Sequence, residues 1–263
     1  MLALIAGQGR LPTRLAEAAK PSLVLALEGF PPDTLVPDRA FRIEALGTVI
    51  ADLVARGVTR LCLAGAIRRP PLDPTRIDAA TLPLVPRMMT ALQAGDDAAL
   101  RLVLAFFEEA GIDIVPAHML LPGLLPEEGC PSMAKPDPQQ DADTAKGYQI
   151  LGQMSPLDIG QSCVVHRGQV LTLEGSYGTD WMLETLTSRP TGENRGGVLV
   201  KAPKAGQDRR VDMPTIGPDT VARAVTAGLD GIAVAAGGVY VLDLPEVIRA
   251  ADEAGLFFQV RAT

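Results

Sequence analysis

Two five-residue apolar runs, each closed by glycine, constrain this chain more than any other feature. Leu2–Ala6 (LALIA) runs into Gly7-Gln8-Gly9, and Arg60–Ala64 (RLCLA) runs into Gly65. Between them, residues 11–20 have helical spacing and residues 22–27 read as a further strand. Residues 41–56 place Ile43, Leu46, Ile50, Leu53 and Val54 at three- and four-residue intervals, the pattern of an amphipathic helix. Strands alternating with helices imply a parallel sheet. Helices are predicted over 84–94 and 96–110, with an aspartate at Gly95-Asp96-Asp97 placed to cap the second. A fourth strand is predicted at 112–115.

Residues 121–140 change texture. They are rich in Pro and Gly, carry acidic residues and have no apolar period, so they read as a connection between domains. The pattern then restarts with a helix at 141–154. Strands at 162–166 and 169–173 flank Arg167-Gly168, a hairpin signal. A helix at 179–187, a strand at 197–201, a helix at 218–227 with Pro218 in its first turn, strands at 231–235 and 239–242, a helix at 244–254 and a strand at 256–260 complete the reading. The expected fold is α/β: a Rossmann-like parallel-sheet domain (1–125), a linker (126–140) and a mixed α/β domain (141–263).

Composition removes several functions. The chain has 263 residues, is 47% hydrophobic and carries a formal net charge of -7. An acidic surface argues against a general nucleic-acid binder, which needs cations for phosphate. Cys62, Cys130 and Cys163 lie far apart with no CxxC pair, and His118 and His166 are the only histidines, which argues against structural zinc. The N-terminal run MLALIAGQGRLP is too short for a signal peptide, and no stretch reaches the ~20 apolar residues of a membrane span. The expected location is cytoplasmic.

Four stretches carry chemistry. In IAGQGRLP, Gly7 and Gly9 after a strand could bring backbone N–H groups to a phosphate at a helix N-terminus. The GxGxxG pattern is broken by Pro12, so a plain strand-to-helix turn is the alternative. In CLAGAIRRPPLDP, Gly65 ends a parallel strand and Arg68 follows, at the edge where open sheets bind ligands; a solvated basic loop is the alternative. In GSYGTDWML, Thr179 and Asp180 sit where they could cap a helix.

The fourth stretch, LVKAPKAGQDRRVDMPTIGPDT, crowds Lys201, Lys204, Asp208, Arg209, Arg210, Asp212 and Asp219 among Pro203, Gly206, Pro214, Gly217 and Pro218. Its prolines restrict the backbone as a preorganised site requires. Paired carboxylates can hold Mg²⁺ through oxygen, and nearby cations can neutralise a diphosphate. Together they are the equipment for attack by water on phosphorus.

Taken together, LIAGQGRLP, LAGAIRRP, GDDAALRLVLAFFEEAGI, LDIGQSCVV, GTDWML and KAPKAGQDRRVDMPTIGPDT resemble the LpxI family, the UDP-2,3-diacylglucosamine pyrophosphatases of lipid A synthesis. The resemblance runs in order along nearly the whole chain. It implies two domains, Mg²⁺ as cofactor, and hydrolysis of UDP-2,3-diacylglucosamine to UMP and 2,3-diacylglucosamine 1-phosphate (lipid X) by water attacking the sugar-side phosphorus. It implies that Asp212, in Arg210-Val211-Asp212-Met213-Pro214-Thr215-Ile216-Gly217, is essential. It puts Gln207, Asp208 and Arg210, and Thr179 and Asp180, in matching positions. Asp212 and Asp208 are thus the expected catalytic and metal-binding carboxylates. Gly7, Gly9, Gly65, Arg68, Thr179, Asp180, Lys201, Lys204, Gln207 and Arg210 are the expected substrate contacts.

A homodimer and transient contact with the inner membrane surface are implied by the family and its substrate. Met88, Met89, Leu92, Leu102, Val103, Phe106 and Phe107 read mostly as core, with a lipid pocket as the alternative. The chain departs from the family at Tyr177 and Met119, where glutamates are frequent. If either glutamate serves the chemistry, Glu174 is the nearest replacement. A non-catalytic nucleotide-sugar or lipid-binding protein of the same fold is the rival reading.

Overall fold

The computed structural model describes residues 1–67, 70–190 and 195–263. They form two compact units: residues 1–122 with 208–211, and residues 123–207 with 212–263.

In the first unit, β1 (Leu2–Ala6), α1 (Leu11–Ala19), β2 (Leu23–Leu27), β3 (Arg39–Phe41), α2 (Leu46–Ala55), β4 (Arg60–Ala64), α3 (Val85–Ala94), α4 (Asp96–Glu109), β5 (Asp113–Ile114) and α5 (Ala117–Leu120) follow in order. The sheet order is β3-β2-β1-β4-β5 and every pairing is parallel. β1 is buried along its whole length, as a central parallel strand covered on both faces must be. Its apolar side chains pack into a core with Leu25, Leu53, Leu61, Leu104 and Phe107. The expected helix over 41–56 starts later, because Arg39–Phe41 pairs with β2 as an edge strand. Helix α4 begins after Gly95, which has φ +117 and no side-chain cap.

The loop after β4 is pinned by buried polar groups. The Glu44 carboxylate, 5% exposed, accepts the Asp73 N–H at 2.8 Å, and the fully buried Thr81 hydroxyl accepts the Gly47 N–H at 2.8 Å.

The second unit contains α6 (Pro138–Met154), β6 (Ser162–His166), β7 (Gln169–Leu173), α7 (Gly178–Thr185), β8 (Val198–Lys201), β9 (Thr215–Ile216), α8 (Pro218–Thr226), β10 (Gly231–Ala235), β11 (Tyr240–Val241), α9 (Leu244–Ala254) and β12 (Phe257–Arg261). Its main sheet runs β12-β10-β8-β6-β7, parallel on one side and antiparallel at β6. The hairpin turn has positive φ at both Arg167 and Gly168, as its sequence predicts. A second core gathers Val164, Val200, Val234, Met182, Phe257 and Phe258.

The stretch expected as a linker packs within this second unit. Gly129 pairs with Val260, the Ser132 hydroxyl accepts the Phe258 N–H at 2.7 Å, and Asp137 makes a reciprocal capping box with Gln140 that starts α6 at Pro138. A segment without apolar period is held here by backbone and cap hydrogen bonds, which composition does not reveal.

Candidate active site

The two glycine turns of the first unit meet each other. The Gly7 N–H donates to the Ala64 carbonyl at 2.8 Å, and Gln8 and Ala66 exchange N–H···O bonds at 3.0 and 2.9 Å. A Cβ on Gly7 would lie 2.7 Å from the Ala66 carbonyl, and one on Gly65, at φ +93, would lie 2.6 Å from the Gly7 backbone. The glycines are therefore required for close approach of the loops after β1 and β4. The Gly9 N–H already donates to the Asp33 carboxylate at 3.0 Å. Backbone donors expected to cradle phosphate are thus held by the protein at Gly7, Gln8 and Gly9. Arg68 lies outside the described residues.

The charged stretch divides between the units. Asp208–Val211 groups with the first unit, and Gln207 and Asp212 with the second. In the first, the Asp208 carboxylate accepts the Arg210 backbone N–H at 3.0 Å, its Nε at 2.9 Å and its Nη2 at 2.7 Å. The Arg210 Nη1 reaches Glu108 at 2.5 Å. These hydrogen bonds from Arg210 hold the Asp208 carboxyl below its usual range, and the two carboxylates push the Arg210 pKa up. Both residues are committed to each other, so Asp208 fits a structural role better than the expected catalytic or metal-binding one.

In the second unit, Lys201 and Thr179 form one buried polar cluster with Glu174, and the expected contact Asp180 flanks it. Lys201 ends β8 and is 7% exposed; its Nζ donates to the Thr179 hydroxyl at 2.7 Å and to the Thr215 carbonyl at 3.2 Å. Thr179 sits in the first turn of α7, but its hydroxyl does not cap that helix. It donates to Glu174 at 2.9 Å. Burial lowers the Lys201 pKa, and Glu174 and Asp180 oppose that by favouring the ammonium. Asp180 is exposed and pairs with Arg223 at 3.3 Å.

The segment that follows β8 is tied by polar contacts of its own. Lys204 pairs with Asp158 and its N–H donates to the Gln207 side-chain carbonyl at 3.0 Å. The Gln207 Nε2 is buried and has no partner, an orphan donor of the kind a ligand oxygen satisfies. Asp212 is half-buried and has no hydrogen-bond or ion-pair partner among the described residues. It stands three residues before Thr215, whose carbonyl Lys201 contacts, and β9 is anchored there by parallel pairing with β11.

No group of three His, Cys, Asp or Glu able to hold a metal occurs among the described residues. Of Asp208 and Asp212, Asp212 is the carboxylate that Arg210 does not engage.

Glu174 is the residue whose importance the sequence understated. Its Oε2 accepts hydroxyls from both Thr179 and the fully buried Ser162. A signal existed in LDIGQSC: Gly160, at φ +48, stacks on the Glu174 backbone, where a Cβ would lie 2.1 Å from the carbonyl oxygen. Tyr177 and Met119 are both exposed, and the Tyr177 ring packs on Trp181 with centroids 5.1 Å apart. Of the apolar α3–α4 set, Met88, Phe106 and Phe107 are buried core, Leu92, Leu102 and Val103 are half-buried, and Met89 is exposed.

Residues 1–124 match the LpxI N-terminal domain and residues 127–259 the LpxI C-terminal domain. A curated relative, the UDP-2,3-diacylglucosamine pyrophosphatase LpxI of Caulobacter vibrioides, is 39% identical over 267 aligned residues, covering 97% of this chain and 95% of the relative. The chain belongs to the LpxI family.

Proposed function

We propose that this protein is a hydrolase that splits UDP-2,3-diacylglucosamine into UMP and 2,3-diacylglucosamine 1-phosphate, by water attacking the sugar-side phosphorus. The observation that carries the reading is the buried Lys201–Thr179 cluster, in a unit that also holds the orphan Gln207 donor and Asp212, which has no partner among the described residues. It stands in a chain related end to end to a pyrophosphatase of that substrate.

Lys201 supplies a cation in a desolvated setting, where its attraction for a diphosphate oxygen is strongest. Gln207 Nε2 donates a further hydrogen bond to that group. Asp212 accepts a hydrogen bond from the attacking water and takes its proton. When bound, Mg²⁺ would polarise the phosphoryl oxygens, with Asp212 as the protein ligand. The acyl chains of the substrate lie in the inner membrane, which brings the enzyme to its surface. No helix among the described residues is long and apolar enough to cross a membrane.

The test is hydrolysis in ¹⁸O-labelled water, with Mg²⁺ and then with EDTA. The expected result is metal-dependent UMP release with label in 2,3-diacylglucosamine 1-phosphate. Label in UMP would place the attack on the other phosphorus. Substrate bound without turnover would make the protein a binder and direct attention to Tyr177 and Met119.

A further inference from the structure

Lys201 is nearly stripped of water, yet no carboxylate touches its ammonium among the described residues. A buried ammonium without compensation is costly and tends to lose its proton. The compensation lies one hydroxyl away. Thr179 Oγ1 accepts from Lys201 Nζ at 2.7 Å and donates to Glu174 Oε2 at 2.9 Å, and that same oxygen accepts the Ser162 hydroxyl. We propose that Glu174 is a positioning residue for the phosphate-facing lysine, holding Lys201 in place and charged through the Thr179 hydroxyl.

The arrangement has a physical logic. A carboxylate in direct contact would consume both the charge and an N–H of the lysine. A carboxylate behind a hydroxyl stabilises the charge from a distance. The Thr179 oxygen and the Thr215 carbonyl take two N–H groups, and the third has no partner among the described residues, so it remains for an anionic oxygen of a substrate.

The remaining neighbours do not replace Glu174. Asp180 of α7 acts on Lys201 from an exposed position and is itself paired with Arg223 of α8. Flanking Lys201 in register are the neutral Ser162 of β6 and Val234 of β10. From α6, Gly147 faces Val200 beside it. Glu174 is itself fixed by its N–H donating to the Ser162 carbonyl at 2.9 Å and by Gly160 packed on its carbonyl.

The inference rests on the proposed role of Lys201 at the phosphate, but its test does not need turnover. The chain has only five lysines, Lys20, Lys135, Lys146, Lys201 and Lys204, so ¹³Cε-lysine NMR can follow each, with Lys201→Arg assigning its signal. In Glu174→Gln, the Lys201 titration is expected one pH unit or more below wild type. Thr179→Ala, which breaks the bridge from the hydroxyl side, is expected to shift it in the same direction, and Thr179→Ser to restore it. The alkaline limb of kcat/KM should move with the NMR value. A Lys201 titration that stays at its wild-type position in both Glu174→Gln and Thr179→Ala would overturn the proposal. A wild-type protein without turnover but with the expected NMR shifts would refute the function while leaving the Glu174–Thr179–Lys201 coupling standing.

Discussion

At the scale of single residues, the charged stretch separates carboxylates that look alike in sequence. Asp208 is held by three donors of Arg210, whereas Asp212 has no partner among the described residues. The first pattern has a pH signature. Because the Asp208 pKa is lowered on folding, its contribution to stability is complete above the unfolded value near 3.8 and is lost as the pH falls through the lower folded value. Wild-type stability should therefore decline below about pH 4 more steeply than that of Asp208→Asn. At pH 7 the variant should be less stable by about 1 kcal/mol, the scale of a partly exposed charge-assisted contact. Urea melts across that range would check both.

Cysteine reactivity belongs to the same scale. Burial pushes the Cys62 and Cys163 thiols up to about 12 and leaves both at 0% exposure, while Cys130 is half-buried. A thiol reagent applied to the native protein at pH 8 is expected to modify Cys130 first, with Cys62 and Cys163 reacting only on unfolding. Rapid native labelling at Cys62 or Cys163 would contradict the packing described.

At the scale of elements, the sequence announced most of the sheet and helix order, including the two-residue strands β5 and β11, which fall inside the strands expected at 112–115 and 239–242. β9, also two residues long, is too short for any periodicity to register, although it fixes the segment that carries Asp212. Arg39–Phe41 was hidden because it abuts the helical spacing that follows. Glycine and proline mark both free connections and ordered segments tied by backbone hydrogen bonds, so composition did not reveal the bonds that hold Gly129 and Ser132 to β12. The glycine turns were legible as special, but their purpose is close approach of two loops. Gly65→Ala combines a backbone at φ +93 with a Cβ 2.6 Å from Gly7, so it should cost about 2–3 kcal/mol or more. Thermal melting of that variant, with Gly57→Ala at φ +75 and in open space as the conformational control, would separate the clash from the strain.

At the scale of the whole molecule, each unit has its own core, with Phe107 fully buried in one and Phe258 in the other. Phe107→Ala and Phe258→Ala should each cost about 3–5 kcal/mol. Each should raise amide exchange chiefly in its own unit, as read by hydrogen-exchange mass spectrometry. The candidate site was legible as a stretch of charge, since residue types and prolines suffice to suggest phosphate chemistry. Which side chains cooperate was not legible: Lys201 is distant in sequence from the neighbouring Glu174 and Thr179 and meets Thr179 only because β6 and β8 pair and α7 starts beside them.

The claim that Asp212 is the reacting carboxylate is tested most directly by single-turnover hydrolysis and substrate binding of Asp212→Asn. The account predicts an unchanged melting temperature, binding within a few-fold of wild type and a rate lowered on the order of 10³-fold. A variant that binds and turns over at close to the wild-type rate would contradict it.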